Sequence, residues 1–226
     1  MLKDTIAYKL LGAVISYSQA GEDIIIDQIF RNRKSTVKTF LDIGANHPKI
    51  RNNTFKFYAE GASGVCVEPN PALCRTLARS RKRDRCLNIG VSTHEERETD
   101  FYIMRPDTLS TFSKEDAQKL QQEGTYRIES VIKVALKNIN TILSENFSVG
   151  PDLVSIDVEG LNEEIALSID FKRYRPKVLC LETITFSEKN EGVKLSNVID
   201  YLTENGYFHY ADTYVNSIFV DKGFTG

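Results

Sequence analysis

The sequence predicts an α/β fold: a mostly parallel sheet with helices on both faces and an antiparallel hairpin at its end. Three observations carry this. Short apolar runs alternate with amphipathic stretches along most of the chain, the pattern of βαβ units whose strands are buried on both faces. Glycine and proline stand at the junctions between these runs. The last two strand-like runs, residues 207–210 and 216–220, are joined by only about five residues, too few for a parallel crossover, so they pair antiparallel.

The elements follow in order. A polar entry over residues 17–23 leads into a capped helix over 24–30, and Gln19 within it is not explained by capping. Residues 38–43 read as a buried strand ended by Gly44. Residues 53–60 read as a helix with Phe55, Tyr58 and Ala59 on one face and Gly61 as its stop. A second strand over 64–67 precedes a helix over 71–79 that opens on Pro71, a residue suited to a first helical turn. Residues 85–89, 153–156 and 177–181 give the third, fourth and fifth strands, and a helix from about 193 to 204 ends at Asn205-Gly206. Residues 98–136 break the alternation with an apolar run (101–104), a Ser/Thr loop (108–113), a polar helix and a strand-like stretch (126–136). This insertion is expected to form extra edge strands or to sit near the active face as the wall of an acceptor site. The whole chain reads as a single domain with an N-terminal helical segment over residues 1–36.

Composition narrows the function. The 226 residues are 41% hydrophobic and 27% charged, an ordinary globular mixture. Lys and Arg total 29 against 31 Asp and Glu, a net charge of -2, so no basic excess points to nucleic acid. The basic run 79–85 reads as a solvated helix end. The apolar stretch 6–15 is interrupted by Tyr8 and Lys9, is too short to span a bilayer, and precedes no small-residue cleavage site. The cysteines form no Cys-x-x-Cys pair, and Cys66 and Cys180 sit in apolar runs as small buried hydrophobes. A reducing, cytoplasmic setting is the expectation.

Open α/β sheets bind ligands beyond the carboxyl ends of their strands. The first strand ends Leu41-Asp42-Ile43-Gly44-Ala45-Asn46-His47-Pro48 and the second Val67-Glu68-Pro69-Asn70. Gly44 permits a tight turn and a close ligand. Glu68, about 26 residues past Asp42, stands near the spacing of roughly 20 at which a carboxylate holds ribose hydroxyls in dinucleotide folds. The glycine-rich phosphate turn of such folds is absent, because Asn46 takes the second glycine position. Asp42 would also repel a pyrophosphate. An NAD(P)-linked oxidoreductase is therefore the weaker reading. A nucleoside carrying a cationic amino-acid portion, S-adenosylmethionine, is the better match.

With these residues the chain resembles the FkbM family of S-adenosylmethionine-dependent methyltransferases. The matching pieces are Ser18-Gln-Ala-Gly-Glu-Asp23, Asp42-Ile-Gly-Ala-Asn46, Val67-Glu-Pro-Asn70, Ser155-Ile-Asp-Val-Glu-Gly160 and Glu182, within about residues 17–220. The chain departs from the usual pattern after Asn46, where His47-Pro48 and then Asn52-Asn53-Thr54 replace a glycine. The resemblance implies a Rossmann-like class I methyltransferase fold of seven strands, the last inserted antiparallel. It also implies methyl transfer to a hydroxyl of a sugar, polysaccharide precursor or natural product. The cofactor contacts it suggests are Gln19, Asp42, Gly44, Ala45, Asn46, Glu68, Pro69, Asn70 and Asp157, with Asn53, Thr54 and Glu182 toward the substrate.

Methylating an alcohol requires a base opposite the donor. Asp157 and Glu159 are two apart at the end of the fourth strand, so in extended backbone they point the same way. Carboxylates there are costly unless used or paired; the plainer role is that Asp157 caps the next helix and Glu159 is solvated. His47, which titrates near neutral pH, is a second base candidate. Asp157, Glu159 and Glu182 form a possible magnesium set, but base and hydrogen-bonding roles explain them as well, so no metal is expected. A non-catalytic nucleoside-binding module would leave these acids turned away from the pocket.

Overall fold

The fold is that of a computed structural model, which describes residues 12–94, 97–158, 160–184 and 192–225. The main sheet contains β1 (Thr39–Ile43), β2 (Ser63–Val67), β3 (Arg85–Leu87), β7 (Leu153–Ile156), β8 (Val178–Glu182), β9 (Tyr207–Asp212) and β10 (Asn216–Asp221). Its spatial order is β3-β2-β1-β7-β8-β10-β9. β10 is antiparallel to both neighbours, β8 and β9, and the other pairings are parallel. The hairpin expected at the chain end is thus present, and its second strand wedges between the fifth parallel strand and the edge.

The helices are α1 (Glu22–Asn32), α2 (Phe55–Ala59), α3 (Pro71–Ser80), α4 (Lys114–Gln122), α5 (Ile139–Asn146), α6 (Asn162–Leu167) and α7 (Ser196–Glu204). They cover two apolar layers. One face of the sheet packs Leu41, Ile43, Val65, Val154, Ile156 and Leu179 against α5, α6 and α7. The other packs Phe40, Cys66, Leu153, Cys180 and Ile218 against Ile26, Phe30, Phe57 and Leu77 of α1 to α3. Alternate residues of each strand feed opposite layers, as a doubly covered sheet requires. No helix among the described residues is long and apolar enough to cross a membrane.

The interruption after the third strand is a second sheet of β4 (Gly90–Ser92), β5 (Arg97–Arg105) and β6 (Arg127–Asn138), ordered β4-β6-β5. β5 and β6 form a long antiparallel hairpin enclosing a 3-10 turn (Asp107–Leu109) and α4, with a small core of Tyr102, Met104, Leu109, Ala117 and Leu120. The insertion therefore makes its own sheet instead of widening the main one. The third strand stops at Leu87 because Asn88 turns its amide onto the carbonyls of Glu68 and Pro69.

The basic run also needs correction. Arg81 is fully buried, lies 2.6 Å from Asp84 and 3.8 Å from Asp42, and its guanidinium stacks 5.1 Å from the Phe40 ring and 5.2 Å from Tyr58. A run of charges reads as solvated by composition alone. Only the fold shows that its third member points inward.

Candidate active site

Strand register builds the site. Ile43 pairs with Val67 on one side and Ile156 on the other, and Ile156 pairs with Leu181. The residues that follow, Gly44, Glu68, Asp157 and Glu182, are therefore brought to one row at the carboxyl edge. The order reverses between β1 and β7, which opens a crevice at that point. A cavity of about 650 Å³ lies there; it is lined by Gly44, Asn46, Glu68, Asp157 and Glu182, among others. Gln19, His47 and Pro69 also line it.

Gly44 cannot be replaced. Its φ is +79° and an added Cβ would lie 1.8 Å from the Asp157 carbonyl oxygen. The Gly44 and Ala45 amides donate to the Val67 carbonyl, and the Asp157 amide donates to Ile43, so the turn is fixed to both neighbouring strands. Asn46 follows at φ 45°, a left-handed conformation asparagine tolerates better than most residues. Its amide donates to Glu68 Oε2 at 2.9 Å, and the Asn70 amide donates to Oε1 at 2.8 Å. Burial pushes the Glu68 carboxyl up to about 7, with Asp107 and Asp42 adding and the two amides opposing. Each oxygen keeps a further lone pair for a ligand hydroxyl.

Several expected contacts stand behind this wall. Asp42 is 4% exposed; its Oδ2 accepts from Thr54 Oγ1 at 2.6 Å and Asn52 Nδ2 at 3.2 Å, and it faces Arg81. Burial raises its pKa while Arg81, Thr54 and Asn52 oppose. Ala45 packs in the core. Asn70 caps α3, its side chain accepting from the Ala72 amide. Thr54 also receives Arg81, at 2.9 Å, and Asn53 donates to Ser155 Oγ and Cys180 Sγ beneath the sheet edge. Thr54 is therefore turned from the cavity toward a buried arginine and carboxylate that demand hydrogen-bond partners, and Asn53 toward Ser155 and Cys180.

The N-terminal motif has a clear mechanical reading. Asp23, fully buried, accepts from Ser16 Oγ, Ser18 Oγ and the Tyr17 amide. Glu22, also buried, accepts from the Ala20 amide, Thr213 Oγ1 and Asn216 Nδ2. Burial works against the Glu22 charge, but these bonds outweigh it and hold the carboxyl below its usual range. Asp23 thus closes the turn on itself, Glu22 fastens it to the β9–β10 hairpin, and Gln19 is left on the cavity wall.

Asp157 does not cap the next helix: α6 begins after Leu161, with no side-chain cap bond. Its carboxyl opens onto the cavity and hydrogen-bonds with Glu182. The surrounding protein pushes it up to about 8, through desolvation first and then the Glu182, Asp42 and Glu22 charges; water entering the open cavity moderates this. Asn162, which sequence reading missed, holds the pair: its Nδ2 donates to Glu182 Oε2 at 2.8 Å and its Oδ1 accepts from the Val158 amide at 2.7 Å. Glu159 lies outside the described residues. Among those described, no group of three His, Cys, Asp or Glu could hold a metal ion.

The turn that follows His47 takes up one of its ring nitrogens. Its Nδ1 accepts from the Lys49 amide at 3.1 Å and the Ile50 amide at 2.9 Å. Those two amides occupy Nδ1, which leaves Nε2 as the ring nitrogen open to a ligand. The insertion supplies a further part of the wall, Phe101 and residues 107–112. Asp107 lies near enough to Glu68 to raise its pKa, which sets this turn beside the second-strand end. Most of these residues belong to the Ser/Thr loop that the sequence shows within the insertion.

The strand order, the antiparallel wedge of β10 and the switch-point cavity with its glycine turn and second-strand acid define a class I methyltransferase architecture. The methyltransferase FkbM domain model matches residues 42–208, and the chain belongs to that family. A crystal structure of methyltransferase FkbM from Methylobacillus flagellatus is similar at 12% identity and a TM-score of 0.48, over 82% of this chain; the chain spans only 43% of that protein. A TehB-like SAM-dependent methyltransferase from Corynebacterium glutamicum is similar at 11% identity and a TM-score of 0.43, over 98% of this chain and 96% of that one. No curated protein matches the chain.

Proposed function

We propose that this protein transfers a methyl group from S-adenosylmethionine to a hydroxyl oxygen of a small molecule or glycan precursor. The observation that carries this reading is the row of Glu68, Gly44, Asp157 and Glu182 around one cavity. The residues fit that donor. The volume is within the roughly 300–1,000 Å³ of small-molecule sites. Glu68 has free lone pairs for a ribose diol, and the Asp157–Glu182 side favours a cation. The same acids would repel a dinucleotide pyrophosphate, which weighs against an NAD(P) enzyme. A non-catalytic module would not need two carboxyls hydrogen-bonded to each other on the cavity wall.

When bound, the donor supplies a methyl group activated on a sulfonium. The chain's part is to place the acceptor and take its proton. Asp157 accepts the hydroxyl proton, and its raised affinity for protons makes it a stronger base than an ordinary carboxylate. Glu182 shares that proton, and Asn162 keeps the two carboxyls together. His47 Nε2–H donates to the acceptor. The turn of residues 107–112 closes the side beside Glu68, leaving the acceptor to enter between Gln19, His47, Ile184 and Tyr214.

Titration calorimetry with S-adenosylhomocysteine and with NAD is the first test: binding of the former alone is expected, and binding of NAD alone would overturn the proposal. A screen of sugars, nucleotide-sugars and polyketide alcohols for labelled methyl transfer then identifies the acceptor. Labelling at nitrogen or carbon in place of oxygen would overturn the O-methylation reading.

A further inference from the structure

Two cysteines that the sequence presents as inert face each other across neighbouring strands. The parallel register of β2 and β3 sets Cys66 opposite Cys86. Paired strands run about 4.8 Å apart, and a disulfide spans Cα separations of about 4.4–6.8 Å. Both side chains lie in the same apolar layer beside Phe40 and Leu77, with Cys66 Sγ 3.8 Å from Asp84 Oδ2, and each thiol bears on the other's pKa. Cys66 is fully buried, whereas Cys86 is half-buried on the three-residue edge strand β3. An oxidant therefore reaches Cys86 first. Cys66 lowers the Cys86 pKa, which favours the reactive thiolate there.

The position links this pair to the site. Val67, next after Cys66, accepts the Gly44 and Ala45 amides, and the Glu68 amide donates to Leu87, next after Cys86. We propose that Cys66 and Cys86 form a reversible disulfide under peroxide, and that the bond weakens donor binding by locking the β2–β3 edge beneath Glu68. The second half rests on the methyltransferase reading; the first does not. In the chemistry, the Cys86 thiolate attacks a peroxide oxygen and the O–O bond breaks. Sulfenic acid and hydroxide result, and the hydroxide takes a proton to become water. Cys66 sulfur then attacks the sulfenic sulfur, the S–O bond breaks, and a second water leaves with the Cys66 proton. Two thiols lose two electrons, and one peroxide is reduced to two waters.

The test uses the full chain titrated with hydrogen peroxide. The expected product is lighter by two hydrogens, keeps two of its four free thiols, carries a Cys66–Cys86 cross-linked peptide and reverts with reductant. Its affinity for S-adenosylhomocysteine should fall about tenfold, within the usual range for coupled sites. Cys86→Ser, at the half-buried position, should keep the reduced protein's affinity and lose the peroxide response; Cys66→Ser is the second control. A cross-link from Cys74 to Cys86, added oxygen without a cross-link, or four surviving thiols would overturn the disulfide. A mapped bond with unchanged affinity would overturn the coupling. Failure of reduced protein to bind S-adenosylhomocysteine would count against the methyltransferase reading and leave the bond intact.

Discussion

Asp42 lies at the end of β1 and Asp157 just beyond the end of its neighbour β7, yet their surroundings are opposite. Asp42 is enclosed by Thr54, Asn52 and the buried Arg81. Asp157 opens onto the cavity, and the charges that bear on it most are carboxylates, Glu182 foremost. Both carboxyls are raised, Asp42 by its burial and Asp157, which is exposed at the cavity, by desolvation from the protein around it and by the Glu182 charge, but the counter-charge decides what each can do. A carboxylate neutralised by arginine is a fixed part of the scaffold. One whose neighbour is another acid holds its proton tightly and is suited to exchange it. The strand-end aspartate that looks most like a ligand contact is thus the one that shapes the turn, and the proposed mechanism assigns the chemistry to its neighbour.

The sharpest way to break this contrast is to neutralise each aspartate. Asp157→Asn should lower kcat for methyl transfer about 10²–10⁴-fold, the range of a lost general base, while S-adenosylhomocysteine binding stays within a few-fold; an unchanged kcat would remove Asp157 from the chemistry. Arg81→Ala should act on the other side, leaving Asp42 and Asp84 buried without their cation. Such a loss costs about 3–5 kcal/mol, or a Tm drop on the order of 10 °C for a chain of this size, readable by calorimetry. An Arg81→Ala protein as stable as the parent would mean that Asp42 needs no partner.

What the sequence made legible follows from local chemistry. The strands, the glycine turn at Gly44, the acid at Glu68 and the closing hairpin are set by apolar spacing, φ preference and loop length, which act within a few residues. Asn53, Thr54 and Asn70 carried side chains suited to a ligand, but each serves a long-range or capping bond that spacing does not encode. Arg81 was hidden for the same reason: its partners Asn52, Thr54 and Asp42 come from two other segments. Asn162 sits in a helix start that looks like a cap until β8 brings Glu182 beside it.

The raised pKa values sharpen the comparison through pH. Asp157 sits at about 8 when folded against an ordinary 3.8. The native state therefore binds its proton more tightly than the unfolded chain does. The stability this confers is fully present below about pH 4 and is lost as pH rises through about 8. Asp157→Asn should then be more stable than the parent at pH 8 and show little advantage at pH 4, by a few degrees in Tm. The opposite trend would show the carboxylate to be stabilised as an anion. Turnover, by contrast, should rise with pH as the Asp157–Glu182 pair ionises, with an apparent pKa that belongs to the pair.

His47 gives the smallest expected effect and separates donor from base. Its Nδ1 is occupied by two backbone amides, so the ring can meet the acceptor only through Nε2. His47→Ala should raise the acceptor KM about tenfold, as loss of one hydrogen bond to a charged or reacting group implies, and should leave the acid limb of the pH–rate profile where it was. A shift of that limb would transfer the base from the β7 strand end to the Gly44–Pro48 turn. Asp157 would then be a second supporting acid beside Asp42, with its pairing to Glu182 serving the fold alone.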